Sequence, residues 1–176
     1  MPLNLPRLKD YVIRPLCDVE VTQFDCDDEK LNKYFREDAK DNEEELLSKT
    51  YFLTKEIDRE PIVGFSISNA HIDAVLEIDI TLSPEQQYKT YPAVRIGKFA
   101  TSKQYKRCGF GLKTMLLLKS WFRGANKTGC RFIVVDSRKT EDAKKFYLKN
   151  KFEEYPIQID SQDTILMYFD LKTFSL

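Results

Sequence analysis

No stretch limits this chain more than Tyr105-Lys106-Arg107-Cys108-Gly109-Phe110-Gly111, set between an apolar run at 96–101 and a helical run at 112–122. It reads as strand, tight loop and helix. Gly109 and Gly111 are expected to turn at positive φ and to let a ligand approach bare peptide groups. The helix behind them offers unpaired N–H groups and its positive dipole end, and Lys106 and Arg107 add side-chain charge. Such a turn suits a pyrophosphate. Gly-x-Gly turns also occur as plain packing devices, so the rest of the chain must decide.

Around this turn the elements alternate. Residues 11–16 form a short β-favouring run, and Asp28 gives a capping signal for a helix carrying Leu31, Tyr34, Phe35 and Ala39 on one face. That pattern fades into the acidic stretch 41–45, expected to be a solvated face. Residues 49–55 and 61–68 alternate as a β-hairpin about Asp58-Arg59-Glu60, and the chain from His71 to Pro92 is expected to be irregular. His71 is read as a loop or strand-end residue. Residues 93–101 lead into the glycine turn, and Leu112, Met115, Leu116, Leu118, Trp121 and Phe122 give the next helix a broad apolar surface. Residues 131–135 read as a buried strand, Thr140 as the cap of a third helix, and 152–154 and 164–171 as closing strands. The expected fold class is therefore α/β (α+β mixed), with a single twisted mixed sheet and helices on both faces.

Two familiar nucleotide folds do not fit. The turn follows the fourth predicted strand, and no acid is placed about twenty residues on to hold a ribose, as a Rossmann unit requires. No Gly-Lys-Ser/Thr follows it, as a triphosphate loop requires. Lys and Arg number 28 against 28 Asp and Glu, so overall charge exerts no pull toward nucleic acid or an acidic membrane. The 4 cysteines are far apart and there is 1 histidine, which disfavours a metal site and suggests reduced thiols. Residues 1–176 are expected to form one domain, and the N-terminus reads as neither signal peptide nor anchor, which suggests a cytoplasmic protein without membrane contact.

On these residues the chain resembles the GNAT superfamily of acetyl-CoA-dependent N-acetyltransferases. Lys106-Arg107-Cys108-Gly109-Phe110-Gly111 is similar to the family's Arg/Gln-x-x-Gly-x-Gly/Ala, with Lys in the Arg/Gln slot. Ala143-Lys144-Lys145-Phe146-Tyr147-Leu148-Lys149-Asn150-Lys151-Phe152 resembles its later Ala-x-x-Phe/Leu-Tyr-x-x-x-Gly-Phe. Lys151 stands where that pattern has glycine, so the helix end is expected to close through Asn150 in the left-handed region. Further runs, among them Ile62-Val63-Gly64-Phe65-Ser66-Ile67 and Gly97-Lys98-Phe99-Ala100-Thr101, resemble the subgroup of toxins that acetylate aminoacyl-tRNA.

The resemblance implies acetyl-CoA as acyl donor. Backbone groups of Arg107, Cys108, Gly109, Phe110, Gly111 and Leu112, with the side chains of Lys106 and Arg107, would take the pyrophosphate. Phe99, Ala100 and Thr101 would offer a strand edge to the pantetheine arm, and a bulge would open that edge. On local grounds alone Tyr147 reads as a core tyrosine with its hydroxyl hydrogen-bonded, and it is the resemblance that makes it correspond to the family's general acid. No general base can be named from the sequence: Glu77, Asp79 and Asp136 are acidic candidates near predicted strand ends, and each reads first as structural or solvent-facing. Cys108 lacks a neighbouring histidine, so direct transfer is expected rather than an acetyl-cysteine. The acceptor stands open among tRNA, a protein N-terminus and a small amine, with tRNA unsupported by net charge. A non-catalytic acyl-CoA-binding or protein-interaction module is the alternative. Residues 164–174 suit either a homodimer surface or an ordinary strand.

Overall fold

The computed structural model describes residues 7–75, 78, 88–124, 128–158 and 163–175. Its strands, in chain order, are β1 (Arg7–Leu8), β2 (Tyr11–Pro15), β3 (Lys49–Lys55), β4 (Pro61–Asp73), β5 (Thr90–Thr101), β6 (Phe132–Arg138), β7 (Glu153–Glu154) and β8 (Thr164–Asp170). They form an 8-stranded sheet in the order β1-β2-β3-β4-β5-β6-β8-β7. Every neighbouring pair is antiparallel except β5 and β6. Because a two-residue β1 precedes the expected strands, the glycine turn follows the fifth strand rather than the fourth.

Helices cover both faces. The Asp28 side chain accepts from the Leu31 N–H at 3.0 Å and starts α1 (Glu29–Lys33). A π-helical stretch, Tyr34–Asp38, carries it into α2 (Ala39–Glu44). Phe35 and Ala39 pack with Phe24, Phe52 and Ala100 on that face of the sheet. On the other face α3 (Phe110–Gly124) buries Met115, Leu118 and Phe122 against Val94, Ile96, Ile133 and Val135. Leu116, counted in its apolar surface, is exposed instead. The fourth helix, α4 (Glu141–Lys149), adds Phe146 and Tyr147 to this second core. Its Thr140 cap accepts from the Ala143 N–H at 3.4 Å.

Some expectations need correcting. The segment from His71 to Pro92 is not wholly irregular: β4 runs to Asp73, β5 begins at Thr90, and His71 sits opposite Pro92. Ile72 and Tyr91 alternate into a buried cluster with Phe132 and Val134, and that burial holds the hairpin through its polar neighbours. Residues 76, 77 and 79–87, and with them Glu77 and Asp79, lie outside the described residues. The acidic stretch is also more than a solvated face, since Glu43 accepts the Thr50 N–H at 2.7 Å and fixes the start of β3.

The end of α4 differs as well. Asn150 has φ −85° and stays outside the left-handed region, whereas Lys151 enters it at φ 63°. Phe152 N–H donates to the Tyr147 carbonyl at 3.0 Å and Lys151 N–H to the Leu148 carbonyl at 2.9 Å. These are the two bonds of a Schellman closure, with lysine in the place glycine usually takes. Asn150 supports it by donating from its side-chain amide to the Phe146 carbonyl at 2.8 Å. Among the described residues no helix is long and apolar enough to cross a membrane.

Candidate functional site

Parallel pairing between β5 and β6 runs from Ala93 opposite Phe132 to Ile96 opposite Val135, and stops there. Beyond that point β5 keeps β4 as its partner and β6 keeps β8, so a wedge opens between them. The cause lies in register. Pairing of β4 with β5 shifts between Ser66 and Ile67, which leaves Gly97 as an extra residue. Such a bulge bends the strand and increases its twist, and here it carries residues 98–101 away from β6.

The bared edge has a defined polarity. Ser102 N–H donates to the Ile62 carbonyl at 2.8 Å. Antiparallel alternation then directs the peptide groups of Ala100 and Lys98 toward β4, and those of Phe99 and Thr101 into the wedge. Of the three residues singled out by sequence, Phe99 and Thr101 offer the edge. Ala100 turns its N–H and carbonyl away and buries its methyl group against Phe24 and Phe35.

At the end of β5 a 3-10 turn, Lys103–Tyr105, leads to the glycine loop. Gly109 has φ 82°, as expected, but the second positive angle belongs to Arg107, at 61°, and not to Gly111. Gly111 already lies inside α3, and a Cβ there would stand 3.1 Å from the Phe146 ring. It serves close packing between α3 and α4. The Cys108 N–H is taken by the Tyr105 carbonyl at 3.4 Å. Among the described residues, the N–H groups of Arg107, Gly109, Phe110, Gly111 and Leu112 meet no acceptor, which leaves a row of donors at the start of a fifteen-residue helix.

The side-chain charges are arranged differently from the sequence expectation. Lys106 is paired with Asp27 at 2.8 Å, while exposed Arg107 forms no ion pair among the described residues. Asp27 belongs to the loop before α1, which also joins Asp25 to Lys103 at 2.7 Å and Asp28 to Arg138 at 2.5 Å. The loop is thus tied to both arms of the wedge. Buried Asn32 holds it from beneath by accepting the Cys26 N–H at 2.8 Å and donating to Asp25 at 3.1 Å. Hydrogen bonding from Lys103 holds the Asp25 carboxyl well below its ordinary range, and hydrogen bonding from Arg138 lowers that of Asp28.

Tyr147 approaches from the face of α3 and α4, half-buried, with its ring against Phe146 and Phe152 at centroid distances of 5.2 and 5.5 Å. Among the described residues its hydroxyl has no hydrogen-bond partner. Burial first, and then the negative charge of Asp136, push its pKa up to about 12. The phenol is therefore protonated at neutral pH. On the opposite face a cleft of about 730 Å³ opens beside the ends of β6 and α1. Lys30, Arg138 and Lys139 line it together with Asp28, Glu29 and Asp163, so no single sign of charge prevails.

Sequence reasoning missed Lys103, Arg138 and Arg95, whose partners are distant in the chain, and Asn32, whose partners Cys26 and Asp25 lie only 6 and 7 residues away. The Asx turn at Asp25, which accepts the Asp27 N–H at 2.9 Å, was the one local signal that this loop is ordered. Among the described residues no three metal-ligating side chains converge, and all 4 cysteines are free.

No family model and no curated protein sequence matches the chain. Solved structures do match. A tyrosine-to-phenylalanine mutant of KacT superposes with a TM-score of 0.74 and 22% identity, over 93% of this chain and 96% of that one. AtaTR bound with acetyl-CoA gives 0.72 and 19%, over 94% and 96%. AtaT complexed with acetyl-methionyl-tRNAfMet gives 0.67 and 19%, over 93% and 96%. At such identities the likeness establishes the fold, which is the GNAT-type mixed sheet expected from the two motifs.

Proposed function

We propose that this chain is an acetyl-CoA-dependent N-acetyltransferase that moves an acetyl group directly to a primary amine. The wedge between β5 and β6 carries the reading, because it aligns a free strand edge, a row of unpaired N–H groups and a protonated tyrosine. The N–H groups of Arg107, Gly109, Phe110, Gly111 and Leu112 hold the pyrophosphate, with the Arg107 side chain beside them. Phe99 and Thr101 pair with the amides of the pantetheine arm, and one of their N–H groups meets the thioester oxygen. Tyr147 gives its proton to the departing thiolate. A phenol with a raised pKa stays loaded for that task across the neutral range.

The fold shared with KacT and AtaT supports the donor half of this reading. For the acceptor, the complex of AtaT with acetyl-methionyl-tRNAfMet makes the α-amino group of an aminoacyl-tRNA the first candidate. An unperturbed α-amine, with a pKa near ~8, needs little help to lose its proton. The balanced charge of the cleft favours recognition of the aminoacyl end over capture of a long phosphate backbone. A mutant AtaT toxin is also known bound to the C-terminus of the antitoxin AtaR, and by that likeness this chain acts as a toxin held in check by a partner protein.

Calorimetry of the full chain with acetyl-CoA tests the proposal. One molecule bound per chain at micromolar protein is expected, and absence of binding overturns it. Bulk aminoacyl-tRNA, a peptide with a free N-terminus and small amines then compete as acceptors in a CoA-release assay.

A further inference from the structure

Asp136 is the first residue of β6 beyond the last β5–β6 pair, Ile96 with Val135, so it stands at the point where the wedge opens. Strand alternation fixes its side. Ile133 and Val135 point into the core beneath α3 and α4, whereas Phe132 and Val134 point into the opposite cluster, and Asp136 continues that second series. Its carboxylate therefore faces away from α4, while Tyr147 approaches from α4's side. Arg95, on the same face of β5, forms an ion pair with it. Arg138, the next residue of that face, is engaged by Asp28, and Leu166 of β8 lies opposite Asp136 in the sheet.

We propose that Asp136 accepts the proton shed by the acceptor amine, with Arg95 as the residue that aims its carboxylate. This rests on the transferase reading above. The amine attacks the thioester carbonyl, forming the C–N bond. Its nitrogen becomes acidic as that bond forms and loses one proton to Asp136. The C–S bond breaks, and the sulfur leaves with the proton of Tyr147. Asp136 is then protonated and Tyr147 a phenolate, and transfer of one proton between them through water restores both. The products are an N-acetylated amine and CoA thiol, with all atoms and charges accounted for. Two titratable groups thus flank the reacting carbon from the two faces of one sheet, and the charge of Asp136 already acts on Tyr147.

The test uses the full chain labelled with 13Cζ-tyrosine, the Tyr147 resonance being assigned by its loss in Tyr147→Phe. In Asp136→Asn the titration midpoint of Tyr147 should fall, while acetyl-CoA binding measured by calorimetry stays at the wild-type level. With glycinamide as the acceptor probe, CoA release should drop by about a hundredfold or more. An unmoved Tyr147 midpoint, or equal rates in the two proteins, overturns the inference. Loss of acetyl-CoA binding in the wild type instead removes the transferase reading beneath it, and the inference with it.

Discussion

From inside the core, Lys119 donates to the backbone carbonyl of Asn150 at the end of α4. The lysine is 3% exposed, and its ammonium lies 3.5 Å from the centroid of the Phe169 ring. Carbonyl, helix dipole and aromatic face together meet a charge that water does not reach. Burial, and secondarily the charge of Lys151, lower its pKa from 10.5 to about 8.

This gives stability a definite pH dependence. The unfolded chain keeps the Lys119 proton up to its ordinary value near 10.5, whereas the folded chain releases it near 8. Between those values the unfolded state binds more protons, so this group makes the protein more stable as pH rises. The full effect is about 3 kcal/mol. The difference in stability between wild type and Lys119→Met, measured by denaturant titration from pH 7 to 10.5, should change in favour of the wild type. A difference that does not vary with pH contradicts the assignment.

Lys151→Gly should stabilise the chain by about 1 kcal/mol, because a left-handed lysine carries backbone strain that glycine lacks. The same change removes a neighbouring positive charge, so the Lys119 window should move to higher pH. Chemical denaturation at two pH values reads both effects.

Gly109 and Gly111 should fail in different ways. Gly109→Ala places a side chain at positive φ in open space, costing about 1–2 kcal/mol and weakening acetyl-CoA binding through the distorted loop. Gly111→Val drives a branched side chain against Phe146, costing about 1–3 kcal/mol by overpacking. A second-site Phe146→Leu change should recover part of the Gly111→Val loss and none of the Gly109→Ala loss, as thermal melts will show.

Tyr147→Phe should leave stability within about 0.5 kcal/mol of the wild type, since the lost hydroxyl has no partner among the described residues. Acetyl-CoA binding should also persist. Transfer to the acceptor found in the CoA-release screen should fall by about 10² or more. Full activity in this variant removes Tyr147 from the chemistry and leaves the fold untouched.

Asp27→Asn frees Lys106 to meet the pyrophosphate. Because the pair is exposed, the gain should be modest, about two- to fivefold tighter acetyl-CoA binding at low salt, vanishing at high salt. Calorimetry at two ionic strengths checks it.

Much of this architecture was legible in the chain. Asp28 and Thr140 cap the helices they were expected to cap, alternation located β3 and β8, and a near-continuous apolar run located β6, each to within a few residues. Errors fell where a local rule met a distant partner. Both glycines of the turn satisfied the same local rule, yet only Gly109 uses its conformational freedom, because Gly111 answers to the Phe146 ring. Asn150 was the better candidate for the left-handed position, but its buried amide is committed to the Phe146 carbonyl, and Lys151 takes the angle instead.

The sequence by itself determined the order of elements, the turn between β5 and α3, and the place of Tyr147 on a later helix. Those features rest on periodicity, capping and turn chemistry, all of which act over a few residues. Only the tertiary structure decided where β5 and β6 part, which faces Asp136 and Tyr147 take at that point, and that Asp27 claims Lys106 from 79 residues away. Strand separation depends on a bulge set by pairing with β4, and ion pairs form wherever folding brings their charges together. No local pattern encodes either.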